Sequence, residues 1–108
     1  MSQAYTIDHH LSDKQENIHN VWDNSLEPVL TIDPGDVVRF ECRDAVDGQV
    51  DLETTTEDVP DISFDPVHPL TGPVYVNGAE PGDVLEVELL DLQHKGWGYT
   101  LFFPGDMG

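Results

Sequence analysis

Asp33-Pro34-Gly35-Asp36-Val37-Val38-Arg39-Phe40-Glu41-Cys42-Arg43-Asp44 is a turn that runs directly into a strand. Pro34 presets the first central dihedral and Gly35 permits a positive φ at the second. Val38, Phe40 and Cys42 then alternate with Arg39, Glu41 and Arg43, as a half-buried strand requires. Glu80-Pro81-Gly82-Asp83-Val84-Leu85-Glu86-Val87-Glu88-Leu89-Leu90-Asp91 aligns to it without gaps, with half the positions identical. Two copies of one turn-into-strand unit suggest a β protein. Duplication or the same local physics used twice would each produce the pair.

Working outward, Val29 to Ile32 is short and β-prone, Asp47-Gly48 marks a turn, and residues 49–55 are expected as a strand with Val50 and Leu52 facing in. Residues 56–73 read as an ordered loop rich in Asp and Pro. Val74 to Val76, Leu85 to Leu89 and Trp97 to Phe103 read as further strands. Before residue 28 the chain is polar. Ser12 and Gln15 have capping-box spacing, which predicts a short helix near 13–19. The expected organisation is a polar N-terminal segment, 1–27, followed by a β domain, 28–108. The expected fold class is all-β, a β-sandwich or partial barrel of short antiparallel strands.

Charge is the dominant compositional signal. Twenty-two acidic residues face four basic ones, giving a net charge of -18 over 108 residues. Nucleic acid is disfavoured as a partner because phosphate binding needs clustered Lys and Arg, and an anionic membrane surface is disfavoured for the same reason. The acids are dispersed among apolar strands and nine aromatics, which argues against a disordered acidic tail. A folded protein from a salt-rich cytoplasm is expected, since salt screens self-repulsion. One cysteine, Cys42, excludes an intrachain disulfide. The N-terminus has no basic region followed by an apolar run, and no apolar stretch approaches the ~20 residues needed to span a bilayer.

His68-Pro69-Leu70-Thr71-Gly72-Pro73-Val74-Tyr75-Val76-Asn77-Gly78-Ala79-Glu80-Pro81-Gly82-Asp83-Val84-Leu85-Glu86-Val87-Glu88 resembles the signature of the acetamidase/formamidase family. His19 with Trp22, the Pro34-Gly35-Asp36 strand, and Gly96-Trp97-Gly98 leading to Pro104-Gly105 agree with it in order. The resemblance implies an amide hydrolase converting formamide or acetamide to a carboxylate and ammonia. It implies a β-rich, oligomeric fold, with a divalent metal, zinc or calcium, in some members. The family's later motifs, including an HGGN-type stretch, do not occur here. The chain is therefore expected to be a fragment, a truncated gene product or one piece of a split enzyme. Its expected partners are a small amide and either further copies of itself or a complementary C-terminal polypeptide. A non-catalytic β-sandwich binding or assembly module is the alternative.

Amide hydrolysis needs an activated nucleophile and stabilisation of the developing oxyanion. No Gly-x-Ser-x-Gly elbow occurs. Cys42 shares a strand face with Val38 and Phe40 and reads as a small buried apolar residue. His68, in the loop 66–73 that opens the signature, is the leading candidate for a catalytic group or metal ligand. Asp44, at the end of the first repeat strand, is the candidate carboxylate base or ligand. Gly72 would let backbone approach a substrate or a neighbouring subunit, though a plain turn accounts for it as well. His9-His10 reads as exposed, and Trp22 and Trp97 as core or interface anchors. A copper domain of cupredoxin type does not fit, because Cys42 has no His within the next ten residues and Met107 is distant.

Overall fold

The structure is a computed structural model and describes residues 5–103. Pro104-Gly105 and the rest of the C-terminal tail lie outside the described residues.

Six short strands form three two-stranded ladders. β1 (His9–Leu11) pairs in parallel with β4 (Val38–Phe40). β2 (Ile18–His19) pairs antiparallel with β5 (Leu70–Thr71), and β3 (Leu30–Ile32) pairs in parallel with β6 (Val74–Val76). There are two 3-10 turns, Gln15–Asn17 and Thr56–Asp61, and the described residues contain no α-helix and no closed barrel. No helix among them is long and apolar enough to cross a membrane.

A β-rich fold agrees with the sequence reading, but the expected antiparallel pairing needs correction. Two of the three ladders are parallel. Parallel pairing requires a long crossover, and here each ladder joins segments far apart in sequence instead of the arms of a hairpin. β1 and β2, both from the first 27 residues, supply strands to two of the ladders.

The turns follow local chemistry closely. Asp36 Oδ2 accepts from Asp33 N at 3.0 Å, and Gly35 takes φ +91°. In the second repeat Asp83 Oδ2 accepts from Glu80 N at 2.9 Å, and Gly82 takes φ +99°. The Asp33 backbone bond, then the His9 ring, hold the Asp36 carboxyl below its ordinary pKa. His9 Nε2 lies 2.9 Å from Asp36 Oδ2, so His9 is half-buried and engaged, while the neighbouring His10 is exposed.

Where propensity lacked a partner, the expected elements do not form. Residues 49–55 hold an Asp51–Thr54 turn in place of a strand, with Val50 facing in as expected but Leu52 exposed. A single 3-10 turn replaces the helix expected near 13–19, and Ser12 makes no cap. Residues 84–92 and 97–103 pair with no strand. Cys42 is exposed and lies past the end of the ladder at Phe40, which is itself 45% exposed.

The core is small. Val46, Val50, Val59 and Ile62 cluster, with Val67, Tyr99, Leu101 and Phe103 packed against them. Phe103 lies 5.2 Å from Phe64, ring centre to ring centre. The final segment thus folds back over the core on alternate residues and leaves Phe102 outside. The radius of gyration is 17.0 Å, against about 13 Å for a compact chain of this length. Residues 84–95 are exposed along their length.

Candidate functional site

The signature loop lies where the ladders meet. Thr71 Oγ1 donates to Glu41 O at 2.7 Å, just beyond β4. Gly72 N donates to Asn17 O at 2.8 Å, next to β2, and Val29 N donates to Pro73 O at 2.9 Å, next to β3. Three successive signature residues therefore tie three separate segments together. Gly72 has φ +145° and precedes a cis peptide bond to Pro73. A Cβ there would meet Val74 N at 3.4 Å and His19 Cε1 at 3.6 Å. Those are ordinary van der Waals distances, so it is the φ that requires glycine. Gly72→Ala is expected to lower stability by about 1–3 kcal/mol, the usual cost of a strained backbone position; a chemical denaturation midpoint measures it.

His68 occupies the left-handed region, φ +60°, and its N–H donates to Ala45 O at 2.7 Å. That bond sets the His68 loop against the loop following Asp44. The His68 side chain is exposed, and no hydrogen bond engages its ring among the described residues. Asp44 differs. Its Oδ1 accepts from Val46 N at 3.0 Å and from the Tyr99 hydroxyl at 2.9 Å, and its Oδ2 accepts from Gly48 N at 2.9 Å. Burial, then the bond to Asp44, raises the Tyr99 pKa above its ordinary value. Asp44 thus organises the turn over the core and has about one of its four acceptor positions left.

The backbone brings His68 and Asp44 into neighbouring loops, but no group of three His, Cys, Asp or Glu side chains among the described residues is placed to hold a metal. A catalytic zinc centre uses about three protein ligands and a calcium site six or more oxygens. These two donors do not by themselves fit such a centre.

His19 is the residue that sequence reasoning passed over as a site candidate. It lies in β2 opposite Leu70 and lines an open hollow of about 620 Å³ with Trp22, Asp23, Asn24 and Pro73. Its Nδ1 is shielded from solvent and has no hydrogen-bond partner among the described residues. Such an orphaned polar atom in a folded protein calls for an explanation, and a bound group is one. Trp22 is 95% exposed at the rim, which corrects its reading as a core anchor. Trp97 is 42% exposed and stacks at 5.9 Å on Tyr99.

The model of the Acetamidase/Formamidase family matches residues 5–108. An acetamidase of Mycolicibacterium smegmatis is 35% identical over 112 residues, covering 93% of this chain and 28% of that protein. A formamidase of Methylophilus methylotrophus is 38% identical over 94 residues, covering 84% of this chain and 23% of that protein. The chain spans about a quarter of the length of these relatives. No solved structure matches it. The match extends through the signature loop, its three ties and both turn-into-strand units, and on that ground this chain belongs to the acetamidase/formamidase family.

Proposed function

We propose that this chain forms the N-terminal part of an enzyme that hydrolyses short linear amides, formamide and acetamide, to the carboxylate and ammonia. The observation that carries the reading is the signature loop, rigidly tied through Thr71, Gly72 and Pro73 while the His68 ring beside it stays exposed and unengaged. A loop fixed by its backbone and open at one basic side chain suits a group that moves a proton or orients a substrate. In this reading His68 is the catalytic group or ligand and Asp44 its neighbouring carboxylate. A divalent ion, zinc or calcium, would need its remaining ligands from outside residues 5–103.

The other requirements of the reaction would also come from elsewhere. Cys42 is exposed, and the Thr71 hydroxyl is committed to Glu41 O. The three ladders would be completed into a β-sandwich or partial barrel by further strands. The acid-rich surface would adapt the enzyme to a salt-rich cytoplasm.

Ammonia release from formamide and acetamide at high KCl tests the reading. A family-length enzyme carrying this segment is expected to turn over, and the 108-residue chain alone is not. Robust turnover by the chain alone would mean that its site is complete. No turnover by the family-length enzyme would end the amidase reading.

A further inference from the structure

The two repeat units share a turn but not a fate. In the first, the strand after the turn is covered by β1. Asp8 N and His9 N donate to Val37 O at 2.9 and 3.1 Å, Val37 N donates to Asp8 Oδ2 at 2.8 Å, and Glu41 N donates to Leu11 O at 2.9 Å. The β1 side chains also answer the unit's acids, with His9 Nε2 2.9 Å from Asp36 Oδ2 and His10 Nε2 3.2 Å from Glu41 Oε2. The second unit repeats the turn, with Asp83 in the place of Asp36, Val84 of Val37, Val87 of Phe40 and Glu88 of Glu41. Yet the segment that follows is bare. Val84 is 94% exposed, Leu85, Val87 and Leu89 are exposed too, and no backbone bond joins residues 84–90 to another segment among the described residues. A cleft of about 2420 Å³ separates this arm from the body along β4 and β6.

We propose that residues 84–90 are a docking edge for a parallel β-strand from another part of a family-length enzyme. That strand carries basic side chains facing Asp83 and Glu88 and an apolar residue beside Val87. Strand addition to an exposed edge supplies the missing backbone bonds, and alternate side chains supply the selectivity. The chemistry of the occupant is read from the unit that is already filled: His9, His10 and Leu11 meet Asp36, Glu41 and Phe40, the counterparts of Asp83, Glu88 and Val87. The chain spans 28% and 23% of two relatives, which leaves ample polypeptide to provide the strand. A second copy of this chain is a poor occupant. Its β1 is already paired to its own β4. Arm against arm would set Glu86 and Glu88 against like charges on a chain of net charge -18.

The test uses the 108-residue chain labelled for amide NMR, at about pH 6, where histidine is largely protonated, and at the lowest KCl that holds the fold. The probe is a peptide copying residues 6–13, Thr-Ile-Asp-His-His-Leu-Ser-Asp. It should shift the amides of 83–90, saturating at roughly millimolar concentration. Replacing both of its histidines with Glu should weaken binding about fivefold or more. Val87→Pro in the chain, on an exposed segment with no backbone bond to another segment among the described residues, should abolish the shifts. No shift in 83–90, shifts confined to 37–41 through exchange with β1, or equal binding of the two peptides would each overturn the proposal. So would concentration-dependent protection of the arm in the chain alone, which would make a second copy the occupant. None of these outcomes depends on amide turnover.

Discussion

Replacing His68 with Gln in a family-length enzyme carrying this segment is expected to reduce amide turnover by about a hundredfold or more, the usual loss when a positioned acid or base is removed. The melting temperature should stay nearly unchanged. The His68 ring is exposed and engages no hydrogen bond, so its removal leaves no buried group unsatisfied. The bond that matters for the fold is from the His68 backbone N–H to Ala45 O, and every substitution except proline keeps it. One structural cost remains, because φ is +60° at this position. Asn tolerates that region better than Gln. His68→Asn therefore separates the two causes: recovery of stability without recovery of turnover assigns the loss to the imidazole. A folded His68→Gln enzyme with near-full activity would leave the loop a packing device.

His19 makes the comparison sharper. Its ring is partly buried, touches the space that Gly72 leaves open, and carries the unpartnered Nδ1. The family resemblance includes His19 only as the companion of Trp22, and a lone histidine in a polar stretch carries no site signature of its own. Its importance comes from register: Ile18 opposite Thr71 and His19 opposite Leu70 bring it to the signature loop. His68 was legible because it opens a long motif whose glycines and prolines have local meaning. The same division holds for the fold. The turns at Pro34-Gly35 and Pro81-Gly82 and the strands Leu30–Ile32, Val38–Phe40 and Val74–Val76 follow from neighbouring residues. Which strand each one meets, and in which direction, is decided by residues tens of positions away, and that is where the antiparallel expectation failed. Alternation over 84–89 predicted a strand that does not form among the described residues, because alternation carries no information about a partner.

Raising KCl from low to molar concentration is expected to raise the melting temperature of this chain by on the order of 10 °C or more. The reason is that its own ion pairs do little to offset its charge. With 22 acids and four Lys or Arg, the described residues make only three ion pairs, His9–Asp36, His10–Glu41 and Arg43–Asp47, and two of those depend on a protonated histidine. Exposed pairs of this kind contribute about 0–1 kcal/mol each. Against them stand many like-charge pairs. Two charges 10 Å apart in water repel by about 0.4 kcal/mol. At about 0.01 M salt the screening length is near 30 Å and most of that repulsion survives, whereas at about 1 M it is near 3 Å and little does. The core that must hold against the remainder is thin, with Leu11, Val46, Val50, Val59 and Ile62 its buried apolar residues. Relief of even two or three kcal/mol matters at that scale, since each is worth about 4–8 °C in a domain of this size. Circular dichroism melts in KCl, NaCl and choline chloride at matched ionic strength provide the measurement. Screening predicts that the three salts act alike, a specific cation site predicts that they differ, and a melting temperature that does not move in any of them would remove charge repulsion as a determinant of this fold.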